Sequence, residues 1–428
     1  MDDCSLDLAI PRLGPGRFRS PMRAMRFVGD DERVLHHTDA AAAARLIAAG
    51  TPLPSLERAG PRERLFFDPA TIAAGIVTCG GLCPGINDVI RAVTLSLHHH
   101  YGVRRILGFR FGYAGLVRRL GHVPLELTPA LVETIAERGG TILGSSRGPQ
   151  DVGEMVDRLA ELGVGILFTI GGDGTLKGAA AIAAEARRRG LALAVVGIPK
   201  TIDNDIACLQ KTFGFETAVE EAHRAVYAAH AEATGARDGI GLVKVMGRDS
   251  GFIAAYTALV DSQVNFCLVP ETPFTLDGFL DALEARLDHR GHAVIVVAEG
   301  AGRDLMDGTA VRDASGNVKH GDIGIFLRDA IRARFAARGR TAPLKYIDPS
   351  YIIRSQPANT HDSVLCLLLG QDAVHAGMSG RTDVVVGTWA GEHVHVPIAQ
   401  ATRARRTIDP EGWLWGSVLA STGQPRRM

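Results

Sequence analysis

The chain has 428 residues, and its 47 lysines and arginines are balanced by 47 aspartates and glutamates. This zero net charge argues against a general nucleic-acid binder, because such proteins usually carry a basic excess. Hydrophobic residues make up 46% of the chain and charged residues 22%, which is typical of a globular protein and excludes intrinsic disorder. At roughly 150 residues per domain, the length predicts two or three domains.

Cysteine usage and the start of the chain indicate a cytoplasmic protein. The six cysteines follow neither a disulfide nor a zinc-site spacing: Cys4, Cys79, Cys83, Cys208, Cys267 and Cys366. The first residues are acidic and lack the apolar core of a signal peptide. No run approaches 18 apolar residues, so we expect no membrane-spanning helix.

Residues 1–70 differ from the rest of the chain. They contain several prolines and a single predicted helix at 39–49, which Asp39 would cap and Gly50 would end. We predict that this segment is an N-terminal extension wrapped on the main body.

From residue 71 onward, short apolar runs rich in β-branched residues alternate with helical patterns. Predicted strands lie at 71–78, 104–109, 164–170, 191–198, 240–246, 264–269, 293–298 and 384–388. Predicted helices lie at 88–100, 128–138, 151–162, 175–189, 216–234, 250–260, 276–289, 323–338 and 359–377. This alternation predicts βαβ units and mostly parallel sheets covered by helices on both faces. In such folds, ligands bind at the carboxyl ends of the strands.

Two glycine-rich loops follow predicted strands. The first, TCGGLCPGIN at 78–87, leads into a helix whose backbone N–H groups can approach an anion. A plain tight turn is the alternative for this loop. The second, IGGDGT at 170–175, adds Asp173, a carboxylate that suits Mg²⁺ on a polyphosphate. The alternative is that Asp173 only caps the next helix.

Two charged loops follow later strands. PKTIDND at 199–205 sets Asp203 and Asp205 two residues apart in a loop that we expect to be extended, so that both point the same way. One carboxylate can then take a proton while the other holds a metal; a surface turn is the alternative. KVMGRDSG at 244–251 sets Arg248 at a helix start, where it suits a phosphate or a sugar oxygen, unless it is a solvated arginine of a capping loop. Together, the four loops indicate one phosphate- and metal-binding site.

The motifs GGLCPGIN, GGDGT, PKTIDND and MGRDSG, in this order and spacing, resemble those of the 6-phosphofructokinase family over roughly residues 70–390. The resemblance implies two Rossmann-like three-layer α/β/α domains with mostly parallel sheets and an active site in the cleft between them. It also implies a donor domain at 71–214 completed near 355–385, and a fructose 6-phosphate domain at 215–354 completed by 386–428.

Carried over position by position, the resemblance implies a role for each matching residue. Asp203 is implied as the base that takes the proton from the sugar 1-hydroxyl, Thr201 as its contact, and Arg248 and Arg147 as catalytic arginines. The residues implied to contact the donor phosphates are Gly81, Arg147, Gly172, Asp173, Gly174, Thr175 and Lys200. The residues implied to contact the sugar phosphate are Thr201, Asp203, Met246, Gly247, Arg248, Glu299, Lys345, Tyr351 and Arg354. Mg²⁺ is implied at Asp173, with Asp205 as a helper.

Two of these positions bear on assembly and regulation. Lys345 stands where the family often places a basic residue that reaches into a neighbouring subunit, and this implies a homo-oligomer, either a dimer or a tetramer. The family also includes allosteric enzymes. However, Gly239 replaces an arginine that the best-known bacterial enzymes donate across subunits, and Tyr351 replaces their histidine. Substrate affinity and effectors therefore stay open.

The phosphoryl donor is either ATP or pyrophosphate. Gly174 favours ATP, because pyrophosphate users usually carry a second aspartate there, which would obstruct an ATP α-phosphate. Lys200 is typical of pyrophosphate users. The combination resembles a subgroup of ATP-dependent enzymes related by sequence to the pyrophosphate-dependent ones. The resemblance therefore implies an ATP-dependent 6-phosphofructokinase of glycolysis, with the pyrophosphate-dependent enzyme as the alternative.

Two further hypotheses stay open. GGDGT also occurs in NAD kinases and lipid kinases, and a catalytically silent sugar-phosphate-binding subunit would share the same motifs. An intact Asp203 and Arg248 favour an active enzyme on small-molecule substrates, with sedoheptulose 7-phosphate as a second conceivable acceptor. Near the C-terminus, Arg403, Arg405 and Arg406 are interpreted as a charged tail, with binding of an effector or of a neighbouring subunit's nucleotide as the alternative.

Overall fold

A computed structural model describes residues 6–23, 26–306, 311–312, 318–319 and 321–428. The strands in chain order are β1 (Phe18–Arg19), β2 (Arg33–Leu35), β3 (Ser55–Arg58), β4 (Arg64–Leu65), β5 (Ala73–Thr78), β6 (Arg105–Phe109), β7 (Leu125–Glu126), β8 (Val164–Gly171), β9 (Ala194–Pro199), β10 (Gly239–Val245), β11 (Phe266–Leu268), β12 (His292–Ala298), β13 (Val311–Arg312), β14 (Val318–Lys319), β15 (Leu344–Ile347), β16 (Val384–Trp389) and β17 (Glu392–Pro397). The α-helices are α1 (Ala40–Ala48), α2 (Ile86–Leu95), α3 (Pro129–Val132), α4 (Val152–Glu161), α5 (Asp173–Arg188), α6 (Phe215–Thr234), α7 (Phe252–Val260), α8 (Leu276–Arg290), α9 (Ile323–Ala337), α10 (Ser350–Ser355), α11 (Thr360–Met378), α12 (Ile398–Ala401) and α13 (Trp413–Thr422). A π-helical turn, Ser96–Tyr101, continues α2.

The chain divides into two α/β units. Unit 1 comprises Met1–Thr201, Ile206–Gly214 and Gln356–Ala404, and unit 2 comprises Ile202–Asp205, Phe215–Ser355 and Arg405–Met428. The sequence analysis assigned all of 386–428 to the second domain, but the structure places 386–404 in unit 1. The reason is that β17 hydrogen-bonds to β16 and β3, which belong to the sheet of that unit.

The sheet of unit 1 has nine strands in the order β2-β3-β17-β16-β9-β8-β5-β6-β7. The central strands β16, β9, β8, β5 and β6 pair in parallel, whereas β2, β3, β17 and β7 join by antiparallel pairing. The predicted N-terminal extension therefore does more than wrap on the body, because its strands β2 and β3 extend the sheet.

Helices cover both faces of this sheet. Leu167 of β8 and Val195 of β9 share one apolar cluster with Ala179 of α5. On the other face, Phe168 of β8 lies against Gly377 of α11. Successive side chains of a strand point to opposite faces, so apolar runs such as β8 bury both sides. Unit 1 thus has three layers, with helix on both sides of the sheet.

The main sheet of unit 2 is parallel throughout, in the order β11-β12-β10-β15. Ile240 of β10 packs in a cluster with Leu283 of α8 and Leu327 of α9. On the opposite face, Gly241 lies against Ala229 of α6. Unit 2 therefore repeats the three-layer arrangement, and the predicted α/β fold class with mostly parallel sheets is confirmed.

A buried ionic network connects the N-terminal segment to the rest of unit 1. Glu57, only 2% exposed, accepts from Arg381 Nε, forms a hydrogen bond of 2.8 Å with His395 Nδ1 and accepts from Arg12 Nη2 at 2.8 Å. Burial acts to raise the pKa of Glu57, but the interactions with His395 and Arg381 outweigh it and hold that pKa well below its usual range. This network supplies side-chain contacts between segments far apart in the sequence.

Two further expectations concern the chain as a whole. No helix in the part of the chain that the structure describes is long and apolar enough to cross a membrane. The cysteines that the structure describes are free thiols, as the sequence predicted; Cys4 lies outside the described residues.

Candidate active site

Three loops of unit 1 meet at the carboxyl ends of its parallel strands. Lys200, which follows β9, donates from Nζ to the carbonyl oxygen of Gly81 at 2.7 Å. Ser145 Oγ donates to the carbonyl oxygen of the neighbouring Gly80 at 2.6 Å, so the loop that carries the exposed Arg147 is fixed to the same glycine turn. The structure therefore brings the predicted donor-phosphate loops of Gly81, Arg147 and Lys200 together.

The GGDGT loop leads directly from β8 into α5. The N-cap of α5 is Gly172 and Asp173 is its first residue, so the alternative that Asp173 caps the helix is wrong. Asp173 Oδ2 accepts from Lys177 Nζ at 2.9 Å, and Thr175 is buried. A Cβ at Gly174 would have no atom within 4 Å. The start of α5 thus offers backbone N–H groups and open space to an anionic ligand.

The PKTIDND loop is shared between the two units, because unit 1 ends one of its segments at Thr201. The carbonyl oxygen of Thr201 accepts from Thr212 Oγ1 at 2.6 Å. Asn204 is buried and has a left-handed backbone with φ of 53°. The expectation of an extended loop is therefore wrong at this residue, since asparagine tolerates the left-handed region better than most residues.

The pKa of the Asp203 carboxyl is raised by its surroundings. Burial contributes most, followed by the negative charges of Asp205 and Glu299, and together they raise the pKa of Asp203 to about 7 against the opposing charges of Arg354 and Arg405. The residue keeps a partly accessible surface, although the surrounding protein desolvates its carboxyl. A pKa near the working pH is what an efficient general base needs.

In unit 2, the loop after β10 packs tightly on the loop after β12. Gly300 N donates to the carbonyl oxygen of Gly247 at 3.2 Å, and a Cβ at Gly300 would lie 1.8 Å from the carbonyl oxygen of Arg248. Gly247 itself has φ of 121°, which favours glycine. These contacts bring the predicted sugar-phosphate residues Met246, Gly247 and Arg248 next to Glu299.

The other residues of unit 2 that were predicted to contact the sugar phosphate lie in two places, on α10 and on β15. Tyr351 and Arg354 lie three residues apart on α10, and hence on one side of it; Tyr351 is 86% exposed. Lys345 pairs with Glu232 at 3.3 Å and lies opposite Gly241 in the sheet. The structure does not bring Lys345 to the carboxyl ends of the strands, so its role stays a prediction.

Sequence reasoning missed Arg405. Its Nη1 lies 3.0 Å from Asp205 Oδ2 and 2.9 Å from Asp249 Oδ2, so the interpretation as part of a charged tail is wrong for this residue. No local pattern could reveal these contacts, because Asp205 lies 200 positions earlier in the chain. Arg405 positions the carboxylate that neighbours Asp203.

Comparison with known proteins identifies the family. The family model described as phosphofructokinase matches residues 73–377. This chain belongs to the phosphofructokinase family. An ATP-dependent 6-phosphofructokinase from Borreliella burgdorferi is 52% identical over 383 residues, which cover 87% of this chain and 86% of that protein. Proteins of the same name from Amycolatopsis methanolica and Trypanosoma cruzi are each 47% identical and cover 98% and 97% of this chain, and 95% and 87% of their own lengths.

Solved structures of phosphofructokinases share the fold. A pyrophosphate-dependent phosphofructokinase from Marinobacter aquaeolei gives a TM-score of 0.69 at 18% identity and covers 83% of this chain and 92% of that one. The Pichia pastoris phosphofructokinase in its T-state gives a TM-score of 0.63 at 22% identity. The match covers 82% of this chain and 37% of that one. At these identities the likeness shows the fold alone.

The magnesium site predicted for this phosphofructokinase-family chain fits one of its two carboxylates better than the other. Asp173, with 28% of its side chain exposed, offers hard oxygen ligands beside the glycine loop, as Mg²⁺ prefers. Asp205 belongs to unit 2 and is engaged by Arg405. Among the described residues no group of three or more His, Cys, Asp or Glu could hold a metal, but Mg²⁺ on a polyphosphate commonly takes only one or two protein carboxylates.

Proposed function

We propose that this protein is an ATP-dependent 6-phosphofructokinase, which transfers the γ-phosphoryl group of ATP to the 1-hydroxyl of fructose 6-phosphate in glycolysis. The products are fructose 1,6-bisphosphate and ADP. The observation that carries the proposal is the carboxyl of Asp203, with a pKa of about 7, among arginines that suit a phosphorylated substrate. Membership of the family and the names of the relatives support the same activity.

In the proposed reaction, unit 2 binds the sugar phosphate. Asp203, as the carboxylate, accepts the proton of the 1-hydroxyl while the oxygen attacks the γ-phosphorus. Arg248 stabilises the negative charge that spreads over the transferred group. Glu299 binds sugar hydroxyls, and Tyr351 and Arg354 bind the 6-phosphate.

Unit 1 binds the phosphoryl donor in this proposal. Backbone N–H groups of the glycine turn and of the start of α5 face the phosphates, and Thr175 adds a hydroxyl. Lys200 and Arg147 supply positive charge at the same strand ends. Asp173 would hold Mg²⁺, which when bound neutralises charge on the donor phosphates.

ATP is favoured over pyrophosphate as the donor. Gly174 carries no side chain and no atom lies within 4 Å of where its Cβ would be, so nothing at this position obstructs the α-phosphate of ATP. Lys200 is compatible with ATP as the donor. Its ammonium donates to the carbonyl oxygen of Gly81 and can contact a phosphate of either ATP or pyrophosphate. The relatives at 47–52% identity carry ATP in their names.

The proposal includes assembly and location. Lys345 is 57% exposed and is a side chain that a neighbouring subunit could use, which supports a homo-oligomer. The free cysteines fit the reducing cytoplasm.

The test compares the two donors directly. Initial rates are measured with fructose 6-phosphate and Mg²⁺, with ATP in one reaction and pyrophosphate in the other, and fructose 1,6-bisphosphate is detected as product. A third reaction replaces fructose 6-phosphate by sedoheptulose 7-phosphate with ATP. We expect turnover of fructose 6-phosphate with ATP only.

Each other outcome has a defined meaning. Turnover with pyrophosphate only would show that Lys200 decides the donor and that the steric argument at Gly174 is wrong. Binding of fructose 6-phosphate without turnover on either donor would identify a silent sugar-phosphate-binding subunit. Phosphorylation of NAD or a lipid but not of a sugar phosphate would contradict the whole proposal.

A further inference from the structure

Strand β10 carries a buried cation at the end of its core-facing side. Ile240 and Leu242 point into the apolar cluster under α8 and α9. Because side chains of a strand repeat with a period of two, Lys244 is the next residue on that face. Its side chain is only 12% exposed.

Two carboxylates hold this ammonium. Lys244 Nζ lies 2.7 Å from Asp322 Oδ2 and 2.7 Å from Asp348 Oδ2. Tyr346 OH donates to the other oxygen of Asp322 at 3.1 Å. Burial acts to lower the pKa of Lys244, but the hydrogen bonds to the two carboxylates outweigh it and raise that pKa above its usual value. The ammonium is therefore charged at neutral pH.

Each carboxylate also accepts a hydrogen bond from a backbone N–H in the first turn of a helix. Asp322 is the N-cap of α9 and accepts from Ile325 N at 3.1 Å. Asp348 accepts from Ser350 N at 3.1 Å, at the first residue of α10. Lys244 consequently joins the beginnings of two helices to the carboxyl end of β10.

Helix α10 depends on such tethers for its position. It has six residues, which is too short for an isolated helix to be stable. Ile353 is fully buried and anchors its inner side, while Tyr351 and Arg354 are the residues proposed to bind the 6-phosphate. Asp348, at its start, is held by Lys244, so the lysine restricts where those two side chains lie.

Stability alone does not explain a lysine at this position. Replacing a buried ion pair by apolar residues of similar volume is often neutral or stabilising, and the preceding residues on this face are apolar. The ionic pair instead fixes one geometry between β10, α9 and α10. Met246 and Gly247, two and three residues after Lys244, begin the loop proposed to contact the same substrate.

We propose that Lys244 is a positioning residue for the sugar phosphate: through Asp348 it sets the spacing between the loop after β10 and the α10 residues Tyr351 and Arg354. This inference rests on the proposed function and adds a residue that positions the contacts to its acceptor. All the contacts that carry it lie within unit 2.

The first experiment separates substrate binding from catalysis. In Lys244→Met, the two released carboxylates are each about one-third exposed and can be hydrated, so we expect the fold to persist. KM for fructose 6-phosphate should rise about tenfold, with kcat and KM for ATP little changed, and Lys244→Arg should recover most of the loss. The matched control is Arg334→Gln, which breaks bonds between α9 and α8 in the same unit and should leave every kinetic constant unchanged.

A double-mutant cycle tests whether Lys244 acts through α10. If it does, Lys244→Met should cost little in kcat/KM once Arg354→Gln has removed the phosphate contact, because effects that share a partner are not additive. Fully additive effects would overturn the inference. Equal losses in kcat and in both KM values would also overturn it, since a general structural defect produces that pattern. If Lys244→Met does not fold, Asp348→Asn, which weakens the partner of Lys244 next to α10, replaces it in the same cycle.

Calorimetric titration with fructose 6-phosphate keeps this inference distinct from the proposed function. If the wild type binds fructose 6-phosphate but does not turn it over, the proposed activity is wrong. Binding that is about tenfold weaker in Lys244→Met than in that wild type would still support the inference. Turnover and binding that are both unaffected by Lys244→Met would overturn the inference and leave the activity intact.

Discussion

The two α/β units end their parallel strands in different ways. In unit 1, the strands lead into glycine turns, and Gly80, Gly81, Gly172 and Gly174 offer mainly backbone groups and space. In unit 2, the loops after β10 and β12 present the charged side chains Arg248, Asp249 and Glu299. Arg405 links Asp249 to Asp205, which lies in the loop after β9. The same three-layer architecture therefore supports two kinds of binding surface.

The charges of the two units also serve different purposes. The dense ionic network of unit 1 around Glu57 includes Arg381, which precedes β16 at the amino end of the sheet. The charged residues Arg248 and Glu299 of unit 2 follow the carboxyl ends of β10 and β12, where ligands bind in such folds. We infer that unit 1 uses its buried charges for stability and unit 2 uses its charges for chemistry.

The largest effect is expected from removing the base in unit 2. Asp203→Ser should lower kcat by roughly a hundredfold to ten-thousandfold and leave thermal unfolding unchanged. Because the base acts as the carboxylate, wild-type kcat/KM should fall as the pH decreases below about 7. Steady-state rates across the pH range measure both effects. Asp261→Asn, at a buried carboxylate beside His223, is the control, and near-normal turnover of Asp203→Ser would remove the base assignment.

The next effect tests the inference that the charges of unit 1 are structural. Glu57→Gln breaks a buried network and should reduce the free energy of unfolding by about 3–5 kcal/mol, with kcat unchanged. The folded-state pKa of Glu57 is lowered, so its stabilisation is present above the usual pKa of a glutamate and is lost as the pH falls below it. Denaturant unfolding should therefore show a smaller difference in the free energy of unfolding between the wild type and Glu57→Gln as the pH is lowered.

The matched control for this prediction is an exposed ion pair. Glu161→Gln, which removes the surface partner of Arg158, should give no resolvable change in the same unfolding measurement. A loss of kcat without a loss of stability in Glu57→Gln would reverse the inferred division of labour between the two units.

The smallest of the three effects concerns the open glycine of unit 1. Gly174→Asp adds a side chain where no atom lies within 4 Å, so the fold should be unaffected. The new charge should lower kcat/KM for ATP about tenfold by repelling the donor phosphates. Gly416→Asp, another helical glycine with no atom within 4 Å, is the control. Unchanged ATP kinetics in Gly174→Asp would show that the donor lies away from this position.

The elements from residue 71 onward were largely predictable, because apolar runs and loop motifs act locally. β17 was not, since its sequence EHVHVP mixes charged and apolar residues and its partner β3 lies more than 300 residues away. Distant pairing of this kind leaves no local signature in the chain. The edge strand β2 was missed for another reason, because its three residues are too few to show a strand pattern.

The candidate site shows the same limit. Asp203 and Arg248 could be found because motif spacing carries their identity. Neither the left-handed turn at Asn204 nor the bridge made by Arg405 could be found, because both depend on groups that only the fold brings near. Lys244 was inside a recognised motif, yet its partners begin two helices much later in the chain.

The strand order of unit 1 has a consequence for synthesis on the ribosome. β2 and β3 emerge early, but they attach to the sheet only through β17, near the end of the chain. The paired strands β2 and β3 must therefore wait, with the hydrogen-bonding edge of β3 open, while more than 300 residues are translated. Such unpaired edges invite aggregation and slow the final step of folding. A ribosome stalled before residue 392 should hold a nascent chain whose first 60 residues are still sensitive to protease.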